Sequence, residues 1–156
     1  MMRRSRTFVA ALLIPSALAV AGCGGVSRED YAQDLDEICA DIEDQTESIG
    51  EANPDNPAEL TGQLDDLRDA TTEGIDRMKA LERPDGDDGE KAEEYVNELE
   101  TTFNGEVVPA LDDLEAAVEA KDQVKVQAAA TRLQSVDSEQ SDKLAEELGA
   151  EECAEG

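Results

Sequence analysis

Residues 31–42 read Tyr31-Ala32-Gln33-Asp34-Leu35-Asp36-Glu37-Ile38-Cys39-Ala40-Asp41-Ile42. Large apolar side chains recur there at steps of four, three and four, and Ile49 follows seven residues later. This spacing sets Tyr31, Leu35, Ile38, Ile42 and Ile49 on one face of an α-helix with acids between them. A strand would need alternation with a period of two, and no useful length of the chain has it. Ser27 precedes the stripe as an N-cap, and Asp30, three residues on, gives a weak capping box. The helix is expected over 28–50, ending at Gly50.

The same period returns three more times. Asn53-Pro54-Asp55-Asn56-Pro57 reads as a turn with Asn56 as N-cap and Pro57 in the first helical position. Over 57–82 the stripe is Leu60, Leu64, Leu67, Ile75, Met78 and Leu81. Gly62 and Gly74 weaken this helix by about 1 kcal/mol each against Ala, and Gly74, near the stripe, can admit a close neighbour. Arg83–Gly89 turns the chain. Over 90–120 the stripe is Ala92, Tyr95, Val96, Leu99 and Phe103, then Val107, Val108, Leu111, Leu114 and Val118. Pro109 would clash with the carbonyl of Gly105, which predicts a kink near 105–109, with a split into two helices as the alternative. Lys121-Asp122 is a short turn with Asp122 as N-cap. Over 123–149 the stripe is Val126, Ala129, Ala130, Leu133, Val136, Leu144 and Leu148, with Gly149 as the terminator. Gln140 and Ser141 occupy the apolar phase between Val136 and Leu144. Either the helix bends or shifts phase there, or the two form a buried hydrogen-bonded pair, line a small pocket or face a partner. Four amphipathic helices on short connections predict an all-α fold, an up-down-up-down four-helix bundle with a kinked third helix and crossings near 20°.

Residues 1–22 do not belong to that pattern. Arg3, Arg4 and Arg6 are followed by an apolar run from Phe8 to Ala21, interrupted by Pro15 and Ser16, and no acid occurs before Glu29. This is the layout of a secretory signal; a run of about 14 residues is short of the roughly 20 that span a bilayer. Val20-Ala21-Gly22-Cys23 resembles the lipobox of bacterial lipoproteins. The resemblance implies cleavage before Cys23 and attachment of diacylglycerol to its sulfur. Two acyl chains hold a protein stably on a membrane where one does not. Residues 23–26 would then be the lipidated Cys and a short Gly tether, and 27–156 the bundle. With Cys23 acylated, Cys39 and Cys153 remain as a pair in an oxidising compartment and are expected to form a disulfide rather than two free thiols.

Charge narrows the function. The chain has 156 residues, 40 Asp plus Glu, 13 Lys plus Arg, no His and a net charge of −27. Removing residues 1–22 takes away three Arg and no acid, leaving 134 residues with 10 basic against 40 acidic side chains, or −30. Without His, the commonest general base and metal ligand are missing. A basic nucleic-acid footprint is absent, so no nucleic-acid partner is expected. Self-repulsion on a small bundle predicts stability that rises with salt.

Tyr31, Ile38-Cys39, Leu81-Glu82-Arg83-Pro84, Leu148-Gly149 and Cys153 resemble, in order and placement, a group of small helical actinobacterial secreted proteins and lipoproteins. The resemblance covers most of 27–153. It implies fold and location, and it supplies no activity; Lys121 departs from the small turn residue common in that group.

Asp85-Gly86-Asp87-Asp88-Gly89-Glu90 invites a calcium reading. With Asp85 at position 1 of an EF-hand, position 12 falls on Val96, and the required Gly and bidentate Glu are out of place. A loose Ca²⁺ site or a solvated turn remains. No pair of carboxylates sits in an apolar context that would tune it for acid–base work, so no catalytic, cofactor-binding or metal-ligating residue is assigned. The sequence predicts a non-catalytic module anchored through Cys23 at the extracytoplasmic face of the cell membrane, binding an unspecified partner of the envelope. The alternative is a weak divalent-cation binder or acidic surface protein, and the third class is an enzyme.

Overall fold

The computed structural model describes residues 25–47 and 57–155, and among them every regular element is helical, with no strand. The elements are α1 (Arg28–Glu47), α2 (Pro57–Ala80), α3 (Asp87–Thr102), a π-helical turn (Phe103–Val107), α4 (Val108–Glu119), α5 (Gln123–Gln134), α6 (Glu139–Leu148) and α7 (Glu151–Glu155). Cys23, Gly50 and the turn at 53–56 lie outside the described residues.

Local chemistry sets the ends. Ser27 Oγ accepts the Asp30 N–H at 3.1 Å, and the Ser27 hydroxyl donates to the Asp30 carboxylate at 2.6 Å. Asp122 accepts from the N–H groups of Val124 and Lys125. Gly149 takes φ 88°, its N–H reaching Glu146 O while Ala150 N–H reaches Ala145 O. Those two bonds form a Schellman motif, which needs a residue without Cβ strain at the turning point.

The structure adjusts four expectations. The helix expected from 90 begins at Asp87, because Gly86 at φ 72° turns the chain early and places Asp87, Asp88 and Glu90 in the first turn, where the helix dipole favours acids. The predicted kink near Pro109 takes the form of a π turn: Val108 N–H bonds to Phe103 O, and this wider turn lies just where Pro109 removes a donor from the ladder. The helix expected over 123–149 is two helices. Around the break at 135–138, Ser135 donates to Arg132 O, Asp137 accepts the Glu139 N–H, Ser138 donates to the Asp142 carboxylate and Ser141 donates to Ser138 O. Such local bonds compete with the helical ladder. The helix expected over 57–82 closes at Ala80.

Salt bridges mark the register. Lys79 meets Glu100 at 2.6 Å and Arg68 meets Asp112 at 2.7 Å, so α2 runs antiparallel to the α3–α4 segment. Arg77 joins Asp41 of α1, and Arg132 joins Asp113 across the α4–α5 turn. Lys91 and Glu147 pair at 2.9 Å between α3 and α6; that ion pair holds the Glu147 carboxyl below the usual range and the Lys91 ammonium above it. The main core gathers Tyr31, Leu35 and Ile38 of α1, Met78 of α2, Tyr95 and Val96 of α3, and Leu144 and Leu148 of α6. By contrast α5 lies along α4 and buries only Ala129 among its side chains, while its Val124 is 80% exposed. Its axis has left the core that α6 rejoins.

Candidate functional site

A cleft of about 470 Å³ opens where the fourth helical segment breaks. Ile42 of α1, Ile75 and Met78 of α2, and Tyr95, Leu99 and Phe103 of α3 and its π turn give it apolar walls. Ser138 and Ser141 close one side, and the Cys39–Cys153 pair forms part of another. A hollow of about 580 Å³ elsewhere is lined by Asp69, Thr72, Glu73, Asp76, Arg77 and Ala80. All six come from α2, so that hollow is a surface groove and not a pocket. The cleft at the break reaches buried side chains of three segments, and its volume falls in the range of about 300–1,000 Å³ that suits small molecules.

Three threonines explain why the walls do not meet. Thr46 follows Ile42 by four residues, Thr71 sits midway between Leu67 and Ile75, and Thr102 follows Leu99 by three. Each holds a stripe position where a Leu would reach further, and all three line the cleft. Among the lining hydroxyls, Thr46 donates to Glu43 O, Thr71 to Leu67 O, Ser138 to the Asp142 carboxylate and Ser141 to Ser138 O. Tyr95 is 1% exposed with its hydroxyl 3.9 Å from Cys39 Sγ. Burial pushes the Tyr95 hydroxyl pKa up, so the group stays neutral. The walls therefore retain hydroxyl oxygens as acceptors, while these donors are spent. Glu43 and Glu152, both exposed, stand on the lining, and no Lys or Arg does among the described residues.

The sulfurs of Cys39 and Cys153 lie 2.02 Å apart with their Cα atoms 5.3 Å apart. Gly149 reverses the chain after α6, and Asp36 Oδ1 of α1 accepts the N–H groups of Glu152 and Cys153 at 3.0 and 3.4 Å. This return brings Cys153 back to the level of Cys39. Ser141 is buried at the cleft, while Gln140 is exposed and reaches Glu94 at 3.4 Å; the two do not form a pair. Cys23 lies outside the described residues. Asp85 and Asp87 are exposed, and among the described residues no three His, Cys, Asp or Glu side chains gather as a metal site. No described helix is long and apolar enough to cross a membrane. Ser141 lines the cleft, as one of the alternatives for Gln140-Ser141 has it, and Gln140 does not; the walls on the other helices were not anticipated, and the three stripe threonines were the signal that could have located them.

No family model matches the chain, and no curated protein and no solved structure matches it either.

Proposed function

We propose that the chain is a lipoprotein of the cell envelope: an up-down-up-down helical bundle whose fourth member is broken, tethered through acylated Cys23 and binding a small apolar molecule in the cleft beside the break. The cleft is the observation that carries the binding role. A gap of about 470 Å³ lies against the half-buried Ile42 and Leu99, with Ile75, Met78 and Phe103 nearly buried beside them, in a small domain whose core would otherwise close to crystal-like density. The anchor rests on the sequence at residues 1–23, and the small helical lipoproteins it resembles support the same location. Distance is consistent with the pairing of roles. Cleft residues on α1 run from Cys39 to Thr46, about 16 to 27 Å along the axis from Arg28. With α1 standing upright on the membrane, a molecule in the cleft would sit clear of the bilayer that holds Cys23. The groove is shaped for binding, and we read the protein as non-catalytic.

The test uses the mature polypeptide 23–156 with Cys23→Ser, which contains every described helix. Titrated with the neutral fluorophore N-phenyl-1-naphthylamine, it should give a saturable rise in emission. Thr71→Phe, which fills the cleft, should remove that rise, and the smaller Thr102→Leu should weaken it, with helicity by circular dichroism retained. Emission that never saturates, or that survives both substitutions undiminished, contradicts the reading.

A further inference from the structure

We infer that the occupant of this cleft is an amphiphilic amine, a compact apolar body carrying one cationic nitrogen; this rests on the binding role proposed above. The argument is one of hydrogen-bond supply and charge. An ammonium donates and does not accept, whereas a carboxylate only accepts. The donors of Thr46, Thr71, Ser138 and Ser141 are already committed to protein acceptors. Glu43 and Glu152 are the charged groups of the lining. A carboxylate ligand would meet two like charges, with only the Thr102 and Tyr95 hydroxyls remaining as donors on the lining. A cationic nitrogen would meet two carboxylates, and a ring face of Tyr95 or Phe103, where presented, would attract it as well. The net charge of −27 extends the same preference to the approach of the ligand. The apolar walls select against small hydrophilic polyamines, which offer little apolar area to set against Ile42 and Leu99.

Displacement of N-phenyl-1-naphthylamine by decylammonium, decanol and decanoate, at matched ionic strength and below their micellar concentrations, separates these ligands by charge alone. Decylammonium should compete about tenfold better than decanol, in keeping with one charge-assisted hydrogen bond, and decanoate worst. Glu43→Gln with Glu152→Gln should level decylammonium with decanol. Asp34→Asn with Glu37→Gln, which removes two acids from α1 outside the cleft, should change neither. If the fluorophore binds but decanoate or decanol competes as well as decylammonium, or if the preference survives loss of Glu43 and Glu152, the amine is wrong and the cleft remains a binding site. If neither fluorophore nor decylammonium binds saturably, by fluorescence or calorimetry, the binding role itself falls.

Discussion

Gly74 lies where α2 comes closest to α1. A Cβ there would overlap Ile42 Cδ1 and come within 2.8 Å of Ile42 Cγ1. Ile42 is also a wall of the cleft, so close approach of the two helices and the shape of the site depend on the same contact. Gly74→Ala forces the end of the Ile42 side chain to rotate towards the cleft, which offsets the roughly 1 kcal/mol that Ala adds to the helix, so the net stability change should be small while the cleft narrows. Urea denaturation together with fluorophore titration measures this; a large loss of stability would mean that Ile42 cannot move. The glycine's place beside the stripe was legible in the sequence, as were the caps at Ser27 and Asp122 and the terminator at Gly149. Each is a short-range rule in which one side chain or one φ angle decides the outcome. Lys121, at φ 53°, was noticed as an unusual turn residue; its left-handed conformation is what makes it so.

At the scale of elements, periodicity identified the helical stripes and misjudged where they stop. Ser135-Val136-Asp137-Ser138 contains neither Gly nor Pro, so nothing conspicuous marks a break. It is the sum of four local side-chain bonds that ends α5 and starts α6, and sums of weak competitors are poorly visible in a pattern of apolar positions. The site inherits that difficulty: a continuous fourth helix would have filled the space between Ile42, Ile75 and Leu99. Gly149 then ends α6 and turns α7 back to α1. There α7 brings both Cys153 and Glu152 to the cleft, so the link to Cys39 holds part of the site. It closes a separation of 114 residues, for which the chain-entropy view of cross-links gives about 4–5 kcal/mol. Cys39→Ser with Cys153→Ser should lose stability of that order in urea unfolding. A double variant as stable as the parent would show that the bond contributes little to the fold.

On the scale of the whole molecule, acidity is the dominant property and the one with the least local structure. Most carboxylates stand on exposed helix faces, where salt screens them over about 8–10 Å at moderate ionic strength. Thermal stability should therefore rise from low to moderate NaCl, and CaCl₂ at matched ionic strength should do no more. A saturable excess for calcium would instead revive the cation-binding alternative. Mild acid should act like salt, because ordinary carboxylates protonate first and relieve repulsion. The lowered pKa of Glu147 keeps its pairing with Lys91 intact into that range. That pair's contribution, present above the ordinary carboxylate range, is lost only as the pH falls through the lowered value. Binding in the cleft follows a different logic, since its walls are apolar and only its mouth is charged.

Met1, Met2 and Met78 are the three methionines of the chain, so a polypeptide of residues 23–156 has one, and Met78 lines the cleft, 2% exposed. A methyl-labelled methionine spectrum thus carries a single resonance placed at the proposed site. Titration with N-phenyl-1-naphthylamine should shift that resonance to saturation over the concentrations at which the fluorescence saturates. A Met78 resonance that stays fixed while the fluorophore binds would place binding elsewhere and contradict the assignment of the cleft.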